Sequence, residues 1–154
     1  MPNTVEERLS ELGITLPDAP APAANYVPAV RAGNLLHVSG QVAMKDGEFV
    51  TGKLGQTMTA EQGAEAARLC ALALLAQVKA ACGGDLERLV RVVKLVGFVN
   101  SAPDFGQQPK VINGASDLMV EVLGEKGKHA RSAVGAGSLP FGVAVEIEGV
   151  FEVE

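Results

Sequence analysis

Two stretches near the C-terminal end carry charge against an apolar pattern. In KHARSAVGAGSLP (128–140), Arg131 interrupts a small, strand-like segment; in VAVEIEGVFEV (143–153), Glu146, Glu148 and Glu152 alternate with Val145, Ile147, Phe151 and Val153. Successive side chains of a strand face opposite ways, so Glu146 and Glu148 share a face. A guanidinium is costly to bury unless a carboxylate or phosphate receives it. A chain reversal centred on Ser138 and Leu139 sets Arg131 opposite Glu146, and a later reversal moves it toward Glu148 or Gly149. Two chemistries fit. One is a cross-strand ion pair worth about 0.2–1 kcal/mol. In the other, Arg131 offers its planar fork to a ligand carboxylate while a glutamate holds a water or moves a proton. The residues alone leave both open.

Other candidate groups are sparse. His37 and His129 are the only histidines, and neither has the neighbouring Cys, His or carboxylate spacing of a metal site. His37, among apolar strand residues, reads as a structural imidazole, and His129 as either an acid–base group or an exposed loop residue. Cys70 and Cys82 fall 12 residues apart on one helical stretch, about 18 Å along its axis, beyond disulfide reach. They read as reduced thiols with packing roles. No G-x-S-x-G elbow, phosphate-binding loop or dinucleotide fingerprint occurs. A net charge of −5 without a basic run, together with a single tyrosine and no tryptophan, argues against nucleic-acid binding. The acidic start, MPNTVEERLSELG, differs from a basic secretory leader, and no long apolar run spans a membrane, so a cytoplasmic protein is expected.

The elements that must position these groups follow from periodicity. Thr4 and Glu7 have capping-box spacing and open a short helix ended by Gly13; residues 14–25, ITLPDAPAPAAN, form an extended tether. From Tyr26 the pattern is strand-like: YVPAV, LLHVSGQVAM and EFV, separated by turn signals, predict an antiparallel meander. Thr59 and Gln62 cap a long helix ending at Gly83 and Gly84, with a stripe of Ala64, Ala67, Ala71, Leu74, Leu75 and Val78. LVRVVKLVGFVN (89–100) is apolar on both faces, as in a central strand. A weaker helix spans 110–123 and ends at Gly124, and two strands close the chain. The order predicts one α+β domain over 1–154: an N-terminal helix (1–13), the tether (14–25) and a core (26–154) with both main helices on one sheet face. The other face lacks a cover, which predicts a homo-oligomer.

NLLHVSGQVAM (34–44), VINGASDLM (111–119), ARSAVG (130–135), Leu139-Pro140 and VAVEIEGV (143–150) resemble, in order and spacing, the reactive intermediate deaminase (Rid) family, also called YjgF and once labelled L-PSP endoribonucleases. The resemblance covers about residues 26–153. It implies a chorismate-mutase-like α+β fold, a mostly antiparallel sheet with two main helices, assembled as a homotrimer with clefts between subunits. It implies cofactor-independent hydrolysis of small 2-enamino or 2-imino acids, of the 2-aminoacrylate type, to 2-keto acid and ammonia. By that resemblance Arg131 binds the substrate carboxylate, Glu146 places the hydrolytic water, and Tyr26, Ser39, Gly40 and Asn113 line the cleft. No metal or other cofactor is implied, and the expected partner is a small carboxylate metabolite.

The chain departs from the family pattern near the arginine. His129 and Ala133 stand where active members commonly have proline and cysteine, and Ser116, Met119 and Val120 replace aromatic residues after the asparagine. With the added N-terminal helix, these mark a longer branch. Two alternatives follow: a trimer that binds a small carboxylate without turnover, and, more weakly, an endoribonuclease.

Overall fold

The computed structural model describes residues 3–22 and 24–154. Helix α1 (Val5–Glu11) begins as the spacing predicts: Thr4 accepts from the Glu7 amide, and Glu7 accepts from the Thr4 amide. Val5 and Leu9 are buried, and Arg8 Nε donates to the Glu121 carbonyl at 3.0 Å, docking the helix on the body. The tether then crosses the surface without regular structure, fastened where Gln77 Nε2 donates to the Pro20 carbonyl at 2.6 Å.

Strand β1 (Ala29–Ala32) starts later than Tyr26. Pro28 has no amide to donate, and the carbonyls of Val27 and Pro28 instead receive the Ser39 hydroxyl and amide. β2 (Leu35–Val42) continues the sheet, but Met44 leaves it: β3 (Met44–Lys45) and β4 (Glu48–Phe49) form a separate two-stranded hairpin. Its turn needs a left-handed backbone, which Asp46 (φ 52°) and Gly47 (φ 81°) provide.

Helix α2 (Ala60–Ala81) carries both capping-box bonds of Thr59 and Gln62. Strand β5 (Leu89–Asn100) has the predicted bounds, and α3 (Gln108–Leu123) ends where Gly124 turns to φ 64°. The two long helices lie side by side with little between them. A Cβ on Gly114 would stand 1.9 Å from the Ala64 carbonyl oxygen, so backbone meets backbone there.

The sheet order is β1-β2-β7-β5-β6, where β6 is Ala130–Ala136 and β7 is Val145–Val153. This corrects one expectation. Arg131 is not on a strand beside Glu146, because β5 lies between β6 and β7. β6 runs parallel to β5, with α3 as the crossover, whereas β7 is antiparallel to both β5 and β2. The Leu139-Pro140 segment is therefore not a tight hairpin but a loop that carries the chain over β5.

Leu95, Ile147 and Phe151 of the sheet and Leu74, Leu75 and Ile112 of the helices are fully buried together. The opposite face carries Val30, Leu35, His37, Glu148 and Val134, all exposed. His37 is thus a surface group rather than a buried structural imidazole. Cys70 and Cys82 are buried and free, Cys70 inside α2 and Cys82 at its end. No helix among the described residues is long and apolar enough to cross a membrane.

Candidate active site

Arg131 and Glu146 occupy different faces of the sheet. Arg131 aligns with Leu95, whose side chain is buried under the helices, while Glu146 aligns with Phe98 on the open face. Three residues along β5 and two strand spacings across put their Cα atoms about 14 Å apart. The cross-strand ion pair is excluded, and among the described residues no carboxylate lies within ion-pairing distance of Arg131.

Arg131 is held instead by neutral acceptors on α3. One terminal nitrogen donates to Ser116 Oγ at 3.1 Å and the other to the Pro109 carbonyl at 3.2 Å. Pro109, Asn113 and Ser116 follow one another at helical spacing along one stripe, so Asn113, exposed, sits beside this guanidinium. Ser116 Oγ also meets His129 Nε2 at 2.9 Å, and His129 Nδ1 lies 2.6 Å from the Gly127 carbonyl. Ala133, on the same strand face two residues from Arg131, packs against the core.

Glu146 lies in a second place. The register between β2 and β7 slips between Val38 and Gln41, so Ser39 and Gly40 together oppose Glu148 in a β-bulge. A Cβ on Gly40 would stand 2.2 Å from Glu146 Oε2, so the glutamate lies across bare backbone. Burial raises the Glu146 carboxyl above its ordinary value, and repulsion from Glu148 adds to the rise. The carboxylate borders a cavity of about 820 Å³ shared with Tyr26, Gly40 and tether residues such as Pro20. Phe49 and Phe141 also line it, stacked with ring centroids 4.6 Å apart. Ser39 supports the bulge from outside the cavity, through its bond to Val27.

The structure thus sorts the sequence-predicted residues into two clusters. Arg131 and Asn113 belong to the α3–β6 edge; Tyr26, Gly40 and Glu146 belong to the cavity, with Ser39 beside it. Sequence reasoning missed the Ser116–His129 contact, although both positions stand out as departures from the family pattern. The available signal was spacing: Ser116 falls one helical turn after Asn113, and His129 lies two residues before Arg131, just ahead of the strand.

A family model described as "YjgF/chorismate_mutase-like, putative endoribonuclease" matches residues 6–147. Protein TCP17 of Trypanosoma cruzi is 53% identical over 97% of this chain and 94% of its own length. A 2-iminobutanoate/2-iminopropanoate deaminase of Dermatophagoides farinae is 31% identical over 92% of this chain and 95% of its own. The crystal structure of Agrobacterium tumefaciens Atu1372, a protein of unknown function, superposes with a TM-score of 0.91 at 54% identity, covering 97% of this chain and 92% of that one. The extent of the family match and the shared fold establish that the chain belongs to the YjgF/chorismate-mutase-like family.

Proposed function

We propose that the protein is a cofactor-independent deaminase of small 2-imino and 2-enamino acids, with its active site composed from two protomers of a homotrimer. The observation that carries this reading is the separation within one chain. A cation free of carboxylates sits on an edge strand, and a basic carboxylate beside a cavity sits on the other face, about 14 Å away. Each is half of a site for a small amino-acid-like molecule. The exposed apolar residues of the open face, Val30, Leu35 and Val134, favour burial against another copy, which can bring one protomer's Arg131 to its neighbour's Glu146.

The chemistry asks little of the protein. A 2-imino acid is already electrophilic at C2, so fixing its carboxylate on Arg131 and placing a water at C2 supplies most of the acceleration. Glu146, with its proton affinity raised by burial and Glu148, accepts a proton as the water oxygen bonds to C2. It returns the proton to nitrogen, giving an amino alcohol at C2; it then takes the hydroxyl proton as the C2 carbonyl forms and passes it to the departing nitrogen, so that the C2–N bond breaks and ammonia and the 2-keto acid leave. An enamine substrate first takes a proton at C3 and gives one up from nitrogen, becoming the imine. The deaminase name of the Dermatophagoides relative supports this reading.

The test generates 2-aminoacrylate from serine with a dehydratase and follows pyruvate release. Wild-type protein should accelerate it, and Arg131→Ala and Glu146→Gln should each remove the acceleration. No acceleration by wild type, with Arg131-dependent calorimetric binding of pyruvate, 2-ketobutyrate or benzoate, would establish the binding-only alternative instead.

A further inference from the structure

We propose that His129, acting through Ser116, is a positioning residue for Arg131 and supplies a second, titratable cation to its carboxylate site; this rests on the reading of Arg131 as an anion receptor. The directions of the hydrogen bonds can be assigned. A carbonyl only accepts, so the 2.6 Å contact to Gly127 places a proton on His129 Nδ1. In the neutral imidazole Nε2 is then an acceptor, and at 2.9 Å it takes the Ser116 hydroxyl hydrogen. Ser116 Oγ, with its lone pairs free, accepts from Arg131 at 3.1 Å. One chain of donors therefore runs from guanidinium to hydroxyl to imidazole, and all three side chains are half-buried.

Protonation of His129 reverses one link. Nε2 becomes a donor to Ser116 Oγ, and the hydroxyl hydrogen must turn to another acceptor. A carboxylate seated on Arg131 is such an acceptor, and it then meets a guanidinium, a hydroxyl donor and an imidazolium charge together. By linkage, carboxylate binding also raises the affinity of His129 for its proton. The other charged groups around the imidazole do not replace this path. Lys128 pairs with Glu125 at 2.8 Å, Arg91 on β5 donates to the Lys128 carbonyl at 3.0 Å, and Asp117 is exposed beside Ser116.

The experiment measures benzoate affinity by calorimetry from about pH 5 to about pH 8, across the range in which imidazoles titrate. The proteins compared are wild type, Ser116→Ala, His129→Gln and Arg131→Ala. Wild type should bind about five- to tenfold more tightly at the acid end. Ser116→Ala and His129→Gln should bind more weakly there and show a flatter profile. Any slope left in His129→Gln has its source in other groups, so the difference from wild type is the quantity read. Arg131→Ala should not bind at any pH. If it binds as wild type does, both the site assignment and the relay fall. If Arg131→Ala abolishes binding while the Ser116 and His129 variants keep wild-type affinity and slope, the relay alone falls. Independently of any variant, benzoate should move the His129 resonance titration to higher pH in wild type, and an unmoved titration also overturns the proposal.

Discussion

Gly40→Ala tests whether the bare backbone beneath Glu146 sets the position of the proposed catalytic carboxylate. The added Cβ would stand 2.2 Å from Oε2, 2.9 Å from Cδ and 3.1 Å from Cγ of Glu146. Ordinary van der Waals contact begins at about 3.4 Å, so the carboxylate must withdraw by about 1 Å. The atoms that yield are the end of a flexible side chain, so the structural cost is about 1 kcal/mol or less. Alanine also lowers the entropy of the unfolded chain, offsetting about 0.4–1 kcal/mol. The melting temperature should thus stay within about 4 °C of wild type. A 1 Å displacement of a catalytic group costs about a hundredfold in rate, so kcat/KM for imino-acid hydrolysis should fall by about that factor. Gly106→Ala, where a Cβ meets nothing within 4 Å, is the control and should be silent. Wild-type turnover in Gly40→Ala would refute the argument. A melting-temperature loss well beyond that range would show that backbone, not the glutamate, gives way.

Further expectations concern charge and packing. Because the folded state holds the Glu146 proton more tightly than the unfolded chain does, Glu146 withdraws stability as pH rises from the ordinary glutamate value through its raised one. Glu146→Gln should therefore melt above wild type at neutral pH, with the difference closing in acid, while losing turnover. Glu148→Gln removes the lesser cause of the shift and should move the acid limb of the pH–rate profile to lower pH. Gly114→Ala should destabilise by about 1–3 kcal/mol or more in chemical denaturation, since its Cβ would meet the Ala64 backbone, which cannot swing aside.

Much of the fold was legible because its signals are local. The Thr4–Glu7 and Thr59–Gln62 capping boxes, the two-faced apolar run at 89–100 and the stop at Gly124 each correspond to observed bounds. Strand order was not local. Placing Arg131 opposite Glu146 assumed that strands adjacent in sequence pair, whereas strand 89–100, helix and strand 130–136 form a βαβ unit whose strands pair in parallel. The long helical connection was the signal that favoured this arrangement. The alternation of Val145, Ile147 and Phe151 against Glu146 and Glu148 was read correctly, since a two-residue period needs no knowledge of neighbours. The Ser116–His129 contact and the crossing of Glu146 over Gly40 depend on how helix and bulge lie on the sheet, which spacing alone does not reveal.

The central claim, a site shared between protomers, is tested most directly by complementation. Arg131→Ala and Glu146→Gln, each inactive alone, are unfolded together in equal amounts and allowed to reassemble. Every mixed trimer then contains one interface with both an intact Arg131 and an intact Glu146, and random assembly makes about three quarters of the trimers mixed, so roughly a quarter of wild-type activity should return. A mixture that reassembles into mixed trimers yet stays as inactive as its components would contradict the shared site.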